Sequence, residues 1–246
     1  MRCVGLWVVL VASVAVGCGD DRSLGDAVVF ESVADVKQRL IDGEPVDAKD
    51  ARGRTPLERA IIWRKPDMAT LLLKHGADPN HRTVRGAEGG TDCLGLLLQG
   101  SLLGRGVSPE LLALIAAKIT DLNRPQGPHG RTPLYEVLLH SRVDLAGALL
   151  EHGADINARN AEGSGGHGQT PLFACLGLQG TAEGGPMGST RALEWALEHG
   201  SDPGLAQEGG KTPLDLAYRD TDRELLLRYA AEREGAGGKP SRNSER

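Results

Sequence analysis

The sequence predicts an all-α solenoid of about five helix-turn-helix units, preceded by an N-terminal half unit and joined by short hairpin-like fingers. Three observations predict it. One tripeptide is written four times, as Thr55-Pro56-Leu57, Thr132-Pro133-Leu134, Thr170-Pro171-Leu172 and Thr212-Pro213-Leu214. A second phrase alternates with it, as His75-Gly76-Ala77-Asp78-Pro79-Asn80, His152-Gly153-Ala154-Asp155-Ile156-Asn157 and His199-Gly200-Ser201-Asp202-Pro203. The spacing is regular, since 21 residues separate Thr55 from Gly76 and 21 separate Thr132 from Gly153. Phrases alternating at a fixed period mark a repeat array, whose units must stack because none can bury its apolar face alone.

Taken in order, residues 1–17 stand apart from the array. Met1-Arg2 precedes an apolar run from Val4 to Val16. That run is too short to span a bilayer and reads as the core of a signal peptide. Residues 18–30 are expected to be a tether. The half unit is Val33–Ile41, closed by Asp42-Gly43 and acting as a cap. In the first full unit, Thr55 suits an N-cap and Pro56 the first helical position, where no donor is needed. Lys65-Pro66 breaks the helix. A second helix runs from Asp67 to His75, and Gly76 stands where helices stop. The second unit is degenerate. It opens Thr91-Asp92-Cys93-Leu94 without the proline, and its second phrase decays to Lys118-Ile119-Thr120-Asp121-Leu122-Asn123. The pattern returns over Thr132–Leu139 with Arg142–His152. It returns again after Thr170, and over Thr212–Arg219 with Asp222–Ala230. The charged end of the last unit suits a polar cap, and residues 233–246 read as a disordered tail. The array domain is thus 31–232.

The Thr-Pro-Leu phrase, the Gly-Ala-Asp-x-Asn phrase and a period of roughly 33 residues resemble the ankyrin repeat. That family usually has His after Thr-Pro-Leu, whereas Glu58, Tyr135, Phe173 and Asp215 stand there in this chain. Ala15-Val16-Gly17-Cys18 resembles a bacterial lipoprotein cleavage box, which implies cleavage before Cys18 and lipid on its sulfur and amine. An ordinary secretory signal cleaved nearby is the other reading. Insertions lengthen the array at 82–90, 99–109, 159–168 and 177–189. Insertions of this kind are often used for binding, although surface loops also grow at little entropic cost.

The chemistry-bearing residues point away from catalysis. His75, His152 and His199 share one position at a helix end, where they complement the last carbonyls, and they are spread along the array. His81 and His140 have no zinc-type spacing around them. No nucleophile elbow or phosphate-binding glycine loop is present. Cys93 and Cys175 have a whole repeat between them, too far for a disulfide, and are expected to be buried small apolar residues. A net charge of −5 without a basic stripe interleaved with aromatics argues against nucleic acid. The expectation is a non-enzymatic chain with no cofactor, metal or small-molecule substrate.

The ankyrin resemblance implies a protein partner bound on a concave surface of finger tips and first helices. Carried onto this chain, that surface comprises Arg52, Arg54, Ile62, Trp63, Arg131, Leu139, His140, Gln169, Lys211 and Arg219. The ridge of Arg54, Arg131 and Lys211 predicts an acidic patch on the partner. Trp63, next to Arg64 and Lys65, is of the type favoured as an interface anchor, or else packs under a neighbouring loop. The leading expectation is a scaffold lipid-anchored at a bacterial envelope, facing the periplasm or the cell surface. The alternative is a periplasmic immunity or inhibitor protein that neutralises a toxic enzyme.

Overall fold

The computed structural model describes residues 23–85, 88–98, 107–161, 168–176 and 188–235. The expected signal peptide, Cys18, residues 236–246 of the expected tail and the greater part of three insertions lie outside the described residues.

Twelve helices in six antiparallel pairs make up the described array. They are α1 (Leu24–Phe30) with α2 (Val33–Ile41), α3 (Pro56–Ile62) with α4 (Pro66–Lys74) and α5 (Cys93–Leu98) with α6 (Pro109–Ala116). The array continues with α7 (Pro133–Leu139) and α8 (Val143–Glu151), α9 (Pro171–Cys175) and α10 (Thr190–Glu198), and α11 (Pro213–Leu216) and α12 (Asp220–Gly235). First helices stack in the row α1, α3, α5, α7, α9, and second helices in the row α2, α4, α6, α8. One continuous core of leucine, alanine and a few larger side chains runs between the rows. A two-stranded antiparallel hairpin, β1 (Thr83–Arg85) with β2 (Glu88–Thr91), forms the lengthened finger ahead of α5.

The recurring phrase acts through the backbone. The hydroxyls of Thr55, Thr132 and Thr212 accept from the N–H three residues on, and Pro follows at the first helical position each time. Where the family has His, Glu58 and Asp215 close reciprocal capping boxes with Thr55 and Thr212. At the far end of the second helices, Gly76, Gly153 and Gly200 take φ values of 94°, 95° and 94°, a conformation that favours glycine. His152 and His199 donate through Nδ1 to the carbonyls of Ala148 and Trp195 at 2.9 and 2.7 Å.

The structure departs from the sequence expectations at four places. Residues 24–30, expected within the tether, form α1, with Leu24, Ala27 and Val28 fully buried. The N-terminal half unit is therefore a complete pair, capped by Ser23, whose hydroxyl accepts from Asp26 N–H at 3.2 Å. In the degenerate unit the N-cap is Asp92, not Thr91. Its carboxylate accepts from Gly95 N–H at 3.0 Å, Cys93 takes the proline's place, and Thr91 ends β2. The first helix of the last unit stops at Leu216, because Ala217 turns to an extended ψ of 116°. Finally, α12 carries the helix to Gly235, into the segment read as tail.

A side-chain ladder joins the loops that follow the second helices. Asn80, Asn123 and Asn157 accept through Oδ1 from the N–H groups of Thr120, Asp155 and Asp202 at 2.9, 2.7 and 2.9 Å. At the first junction the corresponding residue is Asp47, which accepts from Asp78 N–H at 3.2 Å. Burial raises its carboxyl above the usual value, and the Asp78 carboxylate adds to the rise. A raised folded-state value favours folding at low pH, and that contribution is lost as pH rises. Asp47→Asn is therefore expected to raise the melting temperature at neutral pH. The gain should shrink as pH falls through the carboxylate range, which thermal denaturation at several pH values will read.

Candidate partner-binding surface

The first finger is organised by one carboxylate. Asp50 accepts from the N–H groups of Arg52 and Arg54 at 2.8 and 3.0 Å and from Arg59 Nη1 at 3.0 Å. Gly53 makes the turn at φ 73°. Burial alone would push the Asp50 carboxyl up, but the two N–H donors and the guanidinium outweigh it and hold it below the usual value. Arg59 also reaches Asp26 at 3.1 Å, so the finger is tied to α1. This arrangement leaves Arg52 exposed and Arg54 half-buried at the finger tip. A depressed folded value means that the stabilisation is present at neutral pH and lost as pH falls through it. Asp50→Ala should accordingly lower the melting temperature at pH 7 and lose its effect only as pH falls below the usual aspartate value.

The third finger closes through paired backbone bonds between Gln126 and Arg131, at 2.8 and 3.2 Å. Arg131 reaches Glu136 at 3.4 Å and lies over the Tyr135 ring at 5.6 Å, so its guanidinium is held partly by its own unit. Lys211 is exposed on the last finger, which Gln207 closes by donating from its N–H to Lys211 O at 2.9 Å.

Buried polar links fasten the second finger to the third, the third to the fourth and the fourth to the fifth. Gln126 donates to Asp92 Oδ2 at 2.9 Å and accepts from Asp92 N–H at 3.2 Å. Asn160 Oδ1 accepts from Thr132 N–H at 2.8 Å. Tyr135 donates its hydroxyl to Gln169 Oε1 at 2.8 Å, and Gln169 donates to Gln207 Oε1 at 2.6 Å. Burial pushes the Tyr135 phenol up to about 12, so it remains a donor across the neutral range. None of these links was legible in advance, because the partners lie tens of residues apart and carry no shared phrase.

The expected surface therefore divides. Arg52, Arg54, Arg131 and Lys211 sit on fingers, ahead of the first helices. Ile62, Trp63 and His140 sit at the opposite ends of those helices, where Ile62 and Trp63 are 37% and 57% exposed. His140 Nε2 lies 3.7 Å from Glu136. Three expected residues belong to the framework instead. Leu139 is buried in the core. Gln169 is buried in the finger chain just described. Arg219 is an internal clamp, donating to Asp222 at 2.7 Å and to the carbonyls of Cys175 and Gly188 at 3.2 and 3.3 Å. Arg219 thereby bridges Cys175, at the end of α9, and Gly188, just ahead of α10. Cys93 and Cys175 are buried and unbridged, and burial pushes both thiols up. Among the described residues no group of three His, Cys, Asp or Glu is placed to hold a metal ion.

Residues 52–84 and 129–161, the second and fourth pairs with their leading fingers, match the Ankyrin repeat family. Solved structures carry the same architecture over most of the chain. An ankyrin repeat domain from Acinetobacter baumannii superposes with a TM-score of 0.64 at 22% identity, over 84% of this chain and 97% of that one. The fold is an ankyrin-repeat solenoid. Among curated proteins, the ankyrin repeat protein YahD of Escherichia coli (strain K12) is 29% identical, covering 74% of this chain and 81% of the relative. The mouse B-cell lymphoma 3 protein homolog is 26% identical over 89% of this chain, which spans 53% of that relative's length. A further likeness in fold is to a chain in the structure of the predatory endopeptidase Bd0816 from Bdellovibrio bacteriovorus in complex with immunity protein Bd3460. Its TM-score is 0.61 at 19% identity, over 84% of this chain and 97% of that one.

Proposed function

We propose that this ankyrin-repeat chain is a non-enzymatic protein-binding scaffold whose finger ridge receives an acidic patch of its partner. The observation that carries the reading is the segregation of charge. The chain is acidic overall, at −5. Yet the first finger carries Lys49, Arg52 and Arg54 against the single, internally engaged Asp50. The segment 124–131 adds Arg124 and Arg131, which also reach the carboxylates of Asp121 and Glu136 at 3.6 and 3.4 Å. Such a local field steers an oppositely charged partner and selects against wrong ones. Asp50 and Arg59 hold the first finger, and the buried links hold the later ones, which lowers the ordering cost of binding.

The apolar leader and Cys18 support a lipid anchor at a bacterial envelope, with the array in the periplasm or at the cell surface. Acyl chains on Cys18 would contribute about 0.8 kcal/mol per buried CH₂, enough in combination for stable attachment. A second reading is favoured by the likeness to the endopeptidase–immunity complex: an inhibitor that blocks a toxic envelope enzyme by the same ridge. Chemical crosslinking in native envelopes tests both, with the parent and an Arg52→Glu, Arg54→Glu variant as baits. A protein captured by the parent and lost by the variant supports the scaffold. If that protein is a hydrolase that the purified chain inhibits, the inhibitor reading is the correct one. Equal capture by both baits removes the ridge from the account.

A further inference from the structure

Exposed apolar side chains are concentrated at one end of the array. Seven large hydrophobic residues are exposed among the described residues. Five of them, Phe30, Val33, Ile41, Ile62 and Trp63, belong to the first two units, while Tyr218 and Leu227 lie at the other end. Phe30 and Trp63 are 69% and 57% exposed, in a chain with only 3% aromatic residues. Four of the five flank two neighbouring turns. Phe30 and Val33 bracket the turn from α1 to α2, and Ile62 and Trp63 open the turn from α3 to α4. Lys65 Nζ donates to Val29 O at 2.6 Å and fastens the second turn to the first. Two carboxylates of this edge are engaged internally, Glu31 with Arg39 at 3.1 Å and Asp35 with the Ser32 hydroxyl at 2.7 Å.

This edge is also within reach of the expected lipid. Ser23, the N-cap of α1, follows Cys18 by five residues. Five extended residues span about 17 Å. The helix α1, at 1.5 Å per residue, is only about 10 Å long. A lipid on Cys18 can therefore enter a bilayer on which the far end of α1 rests.

We infer that the edge formed by Phe30, Val33, Ile62 and Trp63 docks on the surface of the bilayer that the Cys18 lipid enters. The inference rests on the anchoring proposed above. The Trp63 indole favours the headgroup level of a membrane, where its apolar body and its N–H are both accommodated, and Phe30, Val33 and Ile62 add apolar area beside it. Arg64, exposed beside Trp63, adds a cation at that level. Docking at this edge also explains why the expected surface is split. The fingers leave the opposite ends of the first helices, so the basic ridge would face away from the membrane and remain open to a partner.

Trp63 is a built-in reporter. Trp7 precedes Cys18 and is lost with the leader, and the remaining tryptophan, Trp195, stacks on His199 at 4.0 Å in the fifth unit. A Trp195→Phe variant of the full chain, expressed with its leader and purified in lipidated form, leaves Trp63 as the only tryptophan. It is reconstituted into vesicles of phosphatidylethanolamine and phosphatidylglycerol, with or without brominated acyl chains, and mass spectrometry reads the lipid on Cys18. The expected result is a blue-shifted Trp63 emission, relative to a soluble form of the same variant expressed without residues 1–18, that is lost in brominated vesicles. Lipid on Cys18 with the same emission in both vesicles overturns the docking and leaves the edge to a protein or a second copy. An unmodified Cys18 overturns the anchoring and the docking together.

Discussion

Phe173→Ala is expected to destabilise the array by about 3–5 kcal/mol. Phe173 is the largest of the fully buried side chains. It lies in the five-residue helix α9, which packs against α7 on one side and α10 on the other. Short helices owe their stability to packing more than to propensity. Truncation removes the ring from the middle of a leucine-rich core and leaves a cavity that three helices cannot close without moving. The loss approaches the whole stability of a marginal domain. Urea denaturation of the parent and the variant reads it directly. Phe173→Leu, which leaves a smaller void, should lose much less. A loss below about 1 kcal/mol for Phe173→Ala would show that the fifth unit is not packed as described.

Asp92→Ala is expected to destabilise by about 2–4 kcal/mol, combining two effects of similar size. The lost N-cap of α5 costs about 1 kcal/mol. Gln126 loses its carboxylate acceptor while still buried, at about 1–3 kcal/mol. Asp92 and Gln126 are only 4% and 8% exposed, so water cannot readily take the carboxylate's place. A cap alone would be replaced well by Ser or Thr, whereas the Gln126 link requires a side chain with two oxygens. Asp92→Ser should therefore recover part of the loss. Equal stability of the parent and Asp92→Ala would contradict the capping role assigned to Asp92.

The repeat pattern was legible because its residues act locally. Thr caps, Pro starts a helix, and Gly adopts a positive φ; each requirement is met within one turn of chain. The first pair was half missed because Leu24–Phe30 has no Thr-Pro-Leu, although Ser23 with Asp26 three residues later is a readable cap signal. The shift from Thr91 to Asp92 follows from the lengthened hairpin, whose register no local rule sets. The links of Gln126, Asn160 and Gln207 were invisible because they join residues 28 to 38 apart through ordinary polar side chains. Helix register also could not separate Ile62 from Leu139. Both end a first helix, yet one is 37% and the other 8% exposed, because burial there depends on what the neighbouring unit places over it.

On the function proposed above, the finger ridge recruits an acidic partner. The most direct test of this is the association rate of the crosslinked partner with the purified chain, measured across a range of ionic strength. A rate steered by charge falls steeply as salt rises, and the Arg52→Glu, Arg54→Glu variant should be slow at every salt concentration. An association rate unchanged by salt and by the charge reversal would contradict the account and place the partner on another face.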